Sequence, residues 1–93
     1  MASATCIRLV VQGSVQGVGF RFAACEAASD CSVTGWVRNL PDGSVEIVAQ
    51  GSPDAVARMT SWAQRGPRYA AVDHVQIETL AVSSPCDSFE IRR

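Results

Sequence analysis

Residues 13–21 read Gly-Ser-Val-Gln-Gly-Val-Gly-Phe-Arg, three glycines within seven positions and then an arginine. Glycines let successive backbone N–H groups turn toward one point without interference from Cβ, and a helix that follows adds its positive end. Arg21 contributes a planar guanidinium whose fork matches two phosphate oxygens. The segment therefore reads as an anion cradle. No Lys-Ser or Lys-Thr pair follows it, so it is not a P-loop, and Gly-x-x-x-Gly-x-Gly is not the dinucleotide-binding order. The anion it suits is smaller than a nucleotide. A second candidate is Asn39, just before Leu40-Pro41-Asp42-Gly43. Its neutral amide both donates and accepts hydrogen bonds, so it can orient a water without repelling an anion.

These residues need elements to hold them. Residues 6–12 alternate, with Ile7, Leu9 and Val11 on one side and Arg8 and Gln12 on the other, which is the period of a half-buried strand. Over residues 21–31, Ala24, Ala28 and Cys31 fall at i, i+4 and i+7 and give a helix a narrow apolar stripe. Residues 33–40 and 44–50 are strand-like, and Pro41-Asp42-Gly43 supplies the tight turn of a hairpin. Val45, Ile47 and Ala49 should face the helices. Ser52 is placed to cap a second helix, with Pro53 at its first position and Asp54 in its first turn. Val56, Met59 and Ala63 form its stripe with Trp62 beside them, and Gly66-Pro67 ends it.

Residues 72–82 read as a strand with Val75, Ile77 and Leu80 inward; Ser83-Ser84-Pro85 breaks it, and residues 89–92 form a short last strand. The order predicts an α+β fold, a ferredoxin-like βαββαβ sandwich with an antiparallel or mixed sheet of four to five strands and two helices on one face. In that topology the first and third strands pair and the hairpin brings the second beside them. Asn39 can then approach an anion held at Arg21.

The chain has 93 residues, 47% of them hydrophobic and 18% charged, enough to build one core without metal or disulfide, and residues 1–93 read as a single domain. A formal net charge of −1 disfavours nucleic acid and acidic membrane surfaces as partners, since both select a basic face. Residues 1–6 have neither the basic nor the apolar part of a leader, and no apolar run approaches the roughly 18 residues of a membrane span. A cytoplasmic monomer is expected. Cys6, Cys25, Cys31 and Cys86 make no Cys-x-x-Cys pair, so zinc is not expected; Cys31 reads as core filling and the other three stay undecided. His74, the one histidine, reads as an exposed strand residue, Arg38 as solvent-facing, and Trp36 and Trp62 as core or edge packing.

Two blocks together, residues 13–21 and the run Thr34-Gly35-Trp36-Val37-Arg38-Asn39-Leu40-Pro41-Asp42-Gly43-Ser44-Val45-Glu46, resemble the acylphosphatases. Gly66-Pro67, Ala71-Val72-Asp73 and Phe89-Glu90-Ile91-Arg92 add support, so the resemblance covers essentially the whole chain. It implies hydrolysis of the carboxyl-phosphate bond of a small acyl phosphate, such as acetyl phosphate, carbamoyl phosphate or a glycolytic acyl phosphate, to carboxylate and inorganic phosphate, without metal or cofactor. By position it makes Arg21 the phosphate-binding arginine, Asn39 the water-positioning residue, and the backbone N–H groups of Val15, Gln16, Gly17, Val18, Gly19 and Phe20 the phosphate cradle.

What is missing from the chain suits that reaction. A carboxylate leaves readily, with a pKa of about 4 by analogy with side-chain carboxyls, so no general acid is needed. Phosphoryl transfer through a loose transition state asks mainly for positioning and for donors to the equatorial oxygens. Two departures from the family pattern stand out: Ser14 lies where many members have a basic residue, and Phe22-Ala23-Ala24-Cys25 replaces polar and basic residues after the arginine. They motivate the alternative of a phosphate-binding regulatory module on the same fold that has lost turnover. An RNA-binding sheet is disfavoured by net charge and by the scarcity of aromatic residues.

Overall fold

The computed structural model describes residues 4–82 and 88–93; the expected strand break at Ser83-Ser84-Pro85 and the state of Cys86 lie outside the described residues. Strand β1 (Thr5–Ser14) is an interior strand of the sheet, paired antiparallel with β3 (Val45–Gly51) on one side and β4 (Ala71–Leu80) on the other. The alternation puts Ile7, Leu9 and Val11 into the core, as expected. Cys6 and Val10, on the opposite face, are buried as well. A strand with partners on both edges is screened by its neighbours' side chains; Val10 lies in register between Glu46 and Gln76.

β2 (Thr34–Asn39) and β3 form the hairpin. Its turn is closed by the Gly43 N–H on the Leu40 carbonyl (3.2 Å) and by the Leu40 N–H on the Ser44 carbonyl (2.9 Å). The Asp42 carboxylate accepts from both the backbone N–H (3.0 Å) and the hydroxyl (2.5 Å) of Ser44, and these bonds hold its pKa below the usual aspartate value. β5 (Phe89–Ile91) adds to the outer edge of β2, parallel to it, so the order is β4-β1-β3-β2-β5 and the sheet is mixed. The result is the ferredoxin-like βαββαβ arrangement with one extra edge strand.

Helix α1 (Phe20–Cys31) buries Phe20, Ala24, Ala27 and Ala28, while Cys31 is only half-buried against the core. It ends where Ser32 turns left-handed (φ 62°), with the Ser32 N–H reaching Ala28 and Ser29 carbonyls and the Val33 N–H returning to Ala28 (3.0 Å). Helix α2 (Pro53–Arg65) starts as its sequence specifies: the Ser52 hydroxyl accepts from the Ala55 N–H (3.1 Å), Pro53 occupies the first turn and Asp54 follows it. Ala55, Val56, Met59 and Ala63 face the sheet, and the Gly66 N–H closes the end on the Trp62 carbonyl (2.8 Å).

Both helices share one core with Leu9, Val11, Val37, Val45, Ile47 and Ala49, all fully buried. A sequence expectation fails at the margin of this face. Ile77, opposite Leu9 in register, is 53% exposed, because among the described residues β4 is an edge strand with β1 as its one neighbour. On the opposite face of the sheet, Glu46 of β3 is buried, at 3% exposed. Arg8 donates through Nε to one carboxylate oxygen of Glu46 and Arg38 donates through Nε to the other (2.6 Å), so two long side chains cover it from the flanking strands. Trp36, on the same open face, is half-buried, with the guanidinium groups of Arg38 (5.2 Å) and Arg92 (5.1 Å) over its ring.

Candidate active site

The five residues between β1 and α1 form a loop fastened at both ends by apolar side chains. Val15 (1% exposed) and Phe20 (2%) are sunk in the core, with Gly17 and Gly19 exposed between them. Burial at each end fixes where the intervening peptides run. The Phe20 ring packs at a tilt on Trp62 of α2 (centroids 5.2 Å apart, 58° between planes), which ties the start of α1 to the second helix. Trp62 is thus the packing residue its sequence position suggested.

Gly19 is the N-cap of α1 and adopts φ 78°, ψ 18°, the left-handed region that favours glycine. No side chain caps this end and no acidic residue occupies the first turn. The first helical N–H groups have no partner within the helix, and the positive end of the peptide dipoles lies with them. Such a terminus is a fitting place for an anion.

β1 and β2 lie on either side of β3 and point the same way, so their C-terminal ends are at one edge of the sheet; Val11 and Asn39 are both opposite Val45 in register. The two strands flank β3 and do not pair with each other. This arrangement brings the residues singled out in the sequence into one pocket of about 150 Å³, lined by Val15, Gly17, Gly19, Phe20, Arg21, Phe22 and Asn39. Arg21 and Asn39 are both half-buried there. Among the described residues neither the Arg21 guanidinium nor the Asn39 amide has a hydrogen-bond or ion-pair partner, so their donors remain available to a bound molecule.

Gln16 and Val18, named as cradle residues, do not line the pocket. Val18 packs its side chain against the core. Gln16 carries information that the loop sequence did not show: its Nε2 donates to the Leu40 carbonyl (2.8 Å) and to the Ser44 carbonyl (2.9 Å). One side chain thereby spans from the glycine loop to the hairpin that carries Asn39. An amide in that loop was the only available signal, and its target lies 24 and 28 residues away.

Ser14 is exposed at the end of β1, opposite Ala71, and is not among the pocket residues. Phe22 does line the pocket, and it is 73% exposed. His74 is exposed on β4 and is not among the pocket residues. Among the described residues no three His, Cys, Asp or Glu side chains are gathered as a metal site would need. Burial raises the pKa of the Cys25 thiol on α1.

The family model for acylphosphatases matches residues 7–91. An acylphosphatase of Synechococcus sp. (strain WH7803) is 48% identical over 91% of this chain and 84% of its own length. One from Nitrosococcus oceani is 46% identical over 95% of this chain and 98% of its own length. The solved structure of an acylphosphatase from Coxiella burnetii superimposes with a TM-score of 0.90 at 42% identity, covering 96% of this chain and 93% of the other. With a family match that spans nearly all of its residues and relatives close to half identical over nearly their full lengths, the chain belongs to the acylphosphatase family.

Proposed function

We infer that this protein is an acylphosphatase, hydrolysing the carboxyl-phosphate bond of acyl phosphates to a carboxylate and inorganic phosphate. The observation that carries the reading is one small pocket lined together by Arg21, Asn39 and the glycine loop at the start of α1.

The phosphoryl group sits against the backbone N–H groups of the glycine loop, where Val15, Gly17, Gly19 and Phe20 line the pocket, with two of its oxygens taken by the Arg21 fork. Charge-assisted hydrogen bonds of this kind contribute about 1.5 to 3 kcal/mol each. They strengthen as charge gathers on the equatorial oxygens in the transition state. The Asn39 amide holds a water in line with the scissile P–O bond. The water oxygen forms the new bond to phosphorus, the P–O bond to the acyl group breaks, and its electron pair leaves on the carboxylate oxygen. A proton of the water passes to a phosphate oxygen, which leaves orthophosphate. The good leaving group spares the enzyme a general acid, and the donors supply the stabilisation for which other phosphoryl-transfer enzymes use a metal. The same reading takes residues 1–93 as one unit acting as a cytoplasmic monomer on a small-molecule substrate, without cofactor, nucleic acid or membrane. No helix among the described residues is long and apolar enough to cross a membrane.

Release of phosphate from benzoyl phosphate, with and without chelator, tests the assignment. Hydrolysis should persist with chelator present, be inhibited competitively by inorganic phosphate, and be almost abolished in Arg21→Ala and Asn39→Ala. Arg21→Lys should fail nearly as badly, because a point ammonium cannot reproduce the two-pronged contact. Full activity in either alanine variant refutes the roles given to these residues.

A further inference from the structure

We propose that Phe22 selects for acyl phosphates whose acyl group is uncharged and apolar, aromatic ones above all. The proposal rests on the acylphosphatase reading of the pocket and concerns the part of the substrate that the cradle does not hold.

Phe22 is the third residue of α1, one position beyond Arg21. Its side chain is 73% exposed, yet it lines the pocket. A large apolar side chain at the rim of a polar pocket is placed to be covered by whatever fills that pocket. The neighbouring phenylalanine, Phe20, is buried and packed on Trp62, whereas among the described residues Phe22 has no ring partner. The two rings thus divide the work: one anchors the loop in the core, and the other is left facing the mouth of the site.

The charges around the pocket point the same way. Arg21 is the one charged residue in its lining, and the phosphoryl group engages it. An acyl group carrying its own carboxylate or phosphate would find no second cation lining the pocket, and would desolvate that charge beside a phenyl ring. A benzoyl group instead places its ring within reach of Phe22, where offset or edge-on contact between aromatic rings is favourable. A small acyl group such as acetyl leaves the ring largely uncovered.

The test is the ratio of kcat/KM values for benzoyl, acetyl and succinyl phosphate in the native protein and in Phe22→Ala, Phe22→Leu and Phe22→Lys. A general loss of activity cancels in these ratios. The native protein should prefer benzoyl to acetyl phosphate, and Phe22→Ala should lower that preference about three- to tenfold, with Phe22→Leu in between. Phe22→Lys should raise succinyl relative to benzoyl phosphate by about tenfold or more. If native and Phe22→Ala proteins both hydrolyse benzoyl phosphate with the same ratios to within about twofold, the role of Phe22 is overturned and the acylphosphatase assignment stands. If the native protein hydrolyses none of the three, the assignment itself falls, and the proposal with it.

Discussion

Replacing Gln16 by alanine removes a side chain whose amide donates to two carbonyls of the hairpin, at 2.8 Å to Leu40 and 2.9 Å to Ser44. Two neutral hydrogen bonds are worth about 1 to 3 kcal/mol together. Neither carbonyl is orphaned by the change, because Leu40 still accepts from the Gly43 N–H and Ser44 from the Leu40 N–H. The lower part of the range therefore applies, about 1 to 2 kcal/mol. In a chain of this size that lowers Tm by about 5 to 15 °C. Catalysis should suffer more than stability. Gln16 is the tie between the loop that would hold phosphate and the strand end that would hold water, and a relative shift of about 1 Å can cost a hundredfold in rate. Gln16→Ala should thus lose about ten- to a hundredfold in kcat for benzoyl phosphate, measured far enough below Tm that the folded population is undiminished. Gln16→Glu should be worse on both counts, since it presents acceptors where two carbonyls require donors. Thermal melts and steady-state kinetics on the three proteins decide it. A Gln16→Ala protein that melts and turns over like the native one refutes the idea that this side chain aligns the two halves of the site.

Two glycines should separate stability from function. At Gly35, with φ 138°, an added Cβ would lie 1.9 Å from the Val48 carbonyl oxygen, so Gly35→Ala must part β2 from β3 and should cost several kcal/mol in urea unfolding. At Gly19, with φ 78°, a Cβ meets no atom within 4 Å; Gly19→Ala should cost only about 1 kcal/mol in stability, for the left-handed backbone, while relief of that strain shifts the peptides of a residue that lines the pocket and benzoyl phosphate hydrolysis falls at least tenfold. Unimpaired hydrolysis in Gly19→Ala would argue against the loop as a phosphate cradle. The bonds from Ser44 favour ionised Asp42 in the folded chain, so its contribution to stability is complete above the ordinary aspartate pKa of about 4 and is lost as pH falls through the depressed folded value. The difference in urea midpoint between the native protein and Asp42→Asn should accordingly shrink toward zero as pH is lowered from 6 to about 2, and a constant difference would contradict it.

Much of the architecture could be read from short-range features. The Ser52-Pro53-Asp54 start of α2 and the Pro41-Asp42-Gly43 turn are specified by chemistry within three or four residues. The core-facing set Val45, Ile47 and Ala49 follows from the two-residue period of a strand. The residues of the candidate site were legible too, because three glycines before Arg21 and an asparagine ahead of a turn are informative by type and spacing. Other features were not, because each depends on what lies across the sheet. Glu46 is polar in sequence and faces away from the helices, yet Arg8 and Arg38, reaching from strands on both sides, bury it. Ile77 has the right phase for the core and is exposed because, among the described residues, β4 has a neighbour on one side only.

By itself the sequence determined which groups could hold an anion and orient a water, since backbone freedom, charge and hydrogen-bonding capacity are properties of residues and their near neighbours. That these groups approach one another followed only through the predicted strand order, and the tertiary structure gives them one pocket. Arg21 and Asn39 line the same pocket because β3 inserts between β1 and β2 and leaves both strands ending at one edge of the sheet. The tertiary structure also decided that Gln16 turns toward the hairpin and that Phe22 remains at the rim. Side-chain direction in a loop or at a helix start is set by the burial of its flanking residues, here Val15 and Phe20, and that burial exists only once the two helices have closed on the sheet.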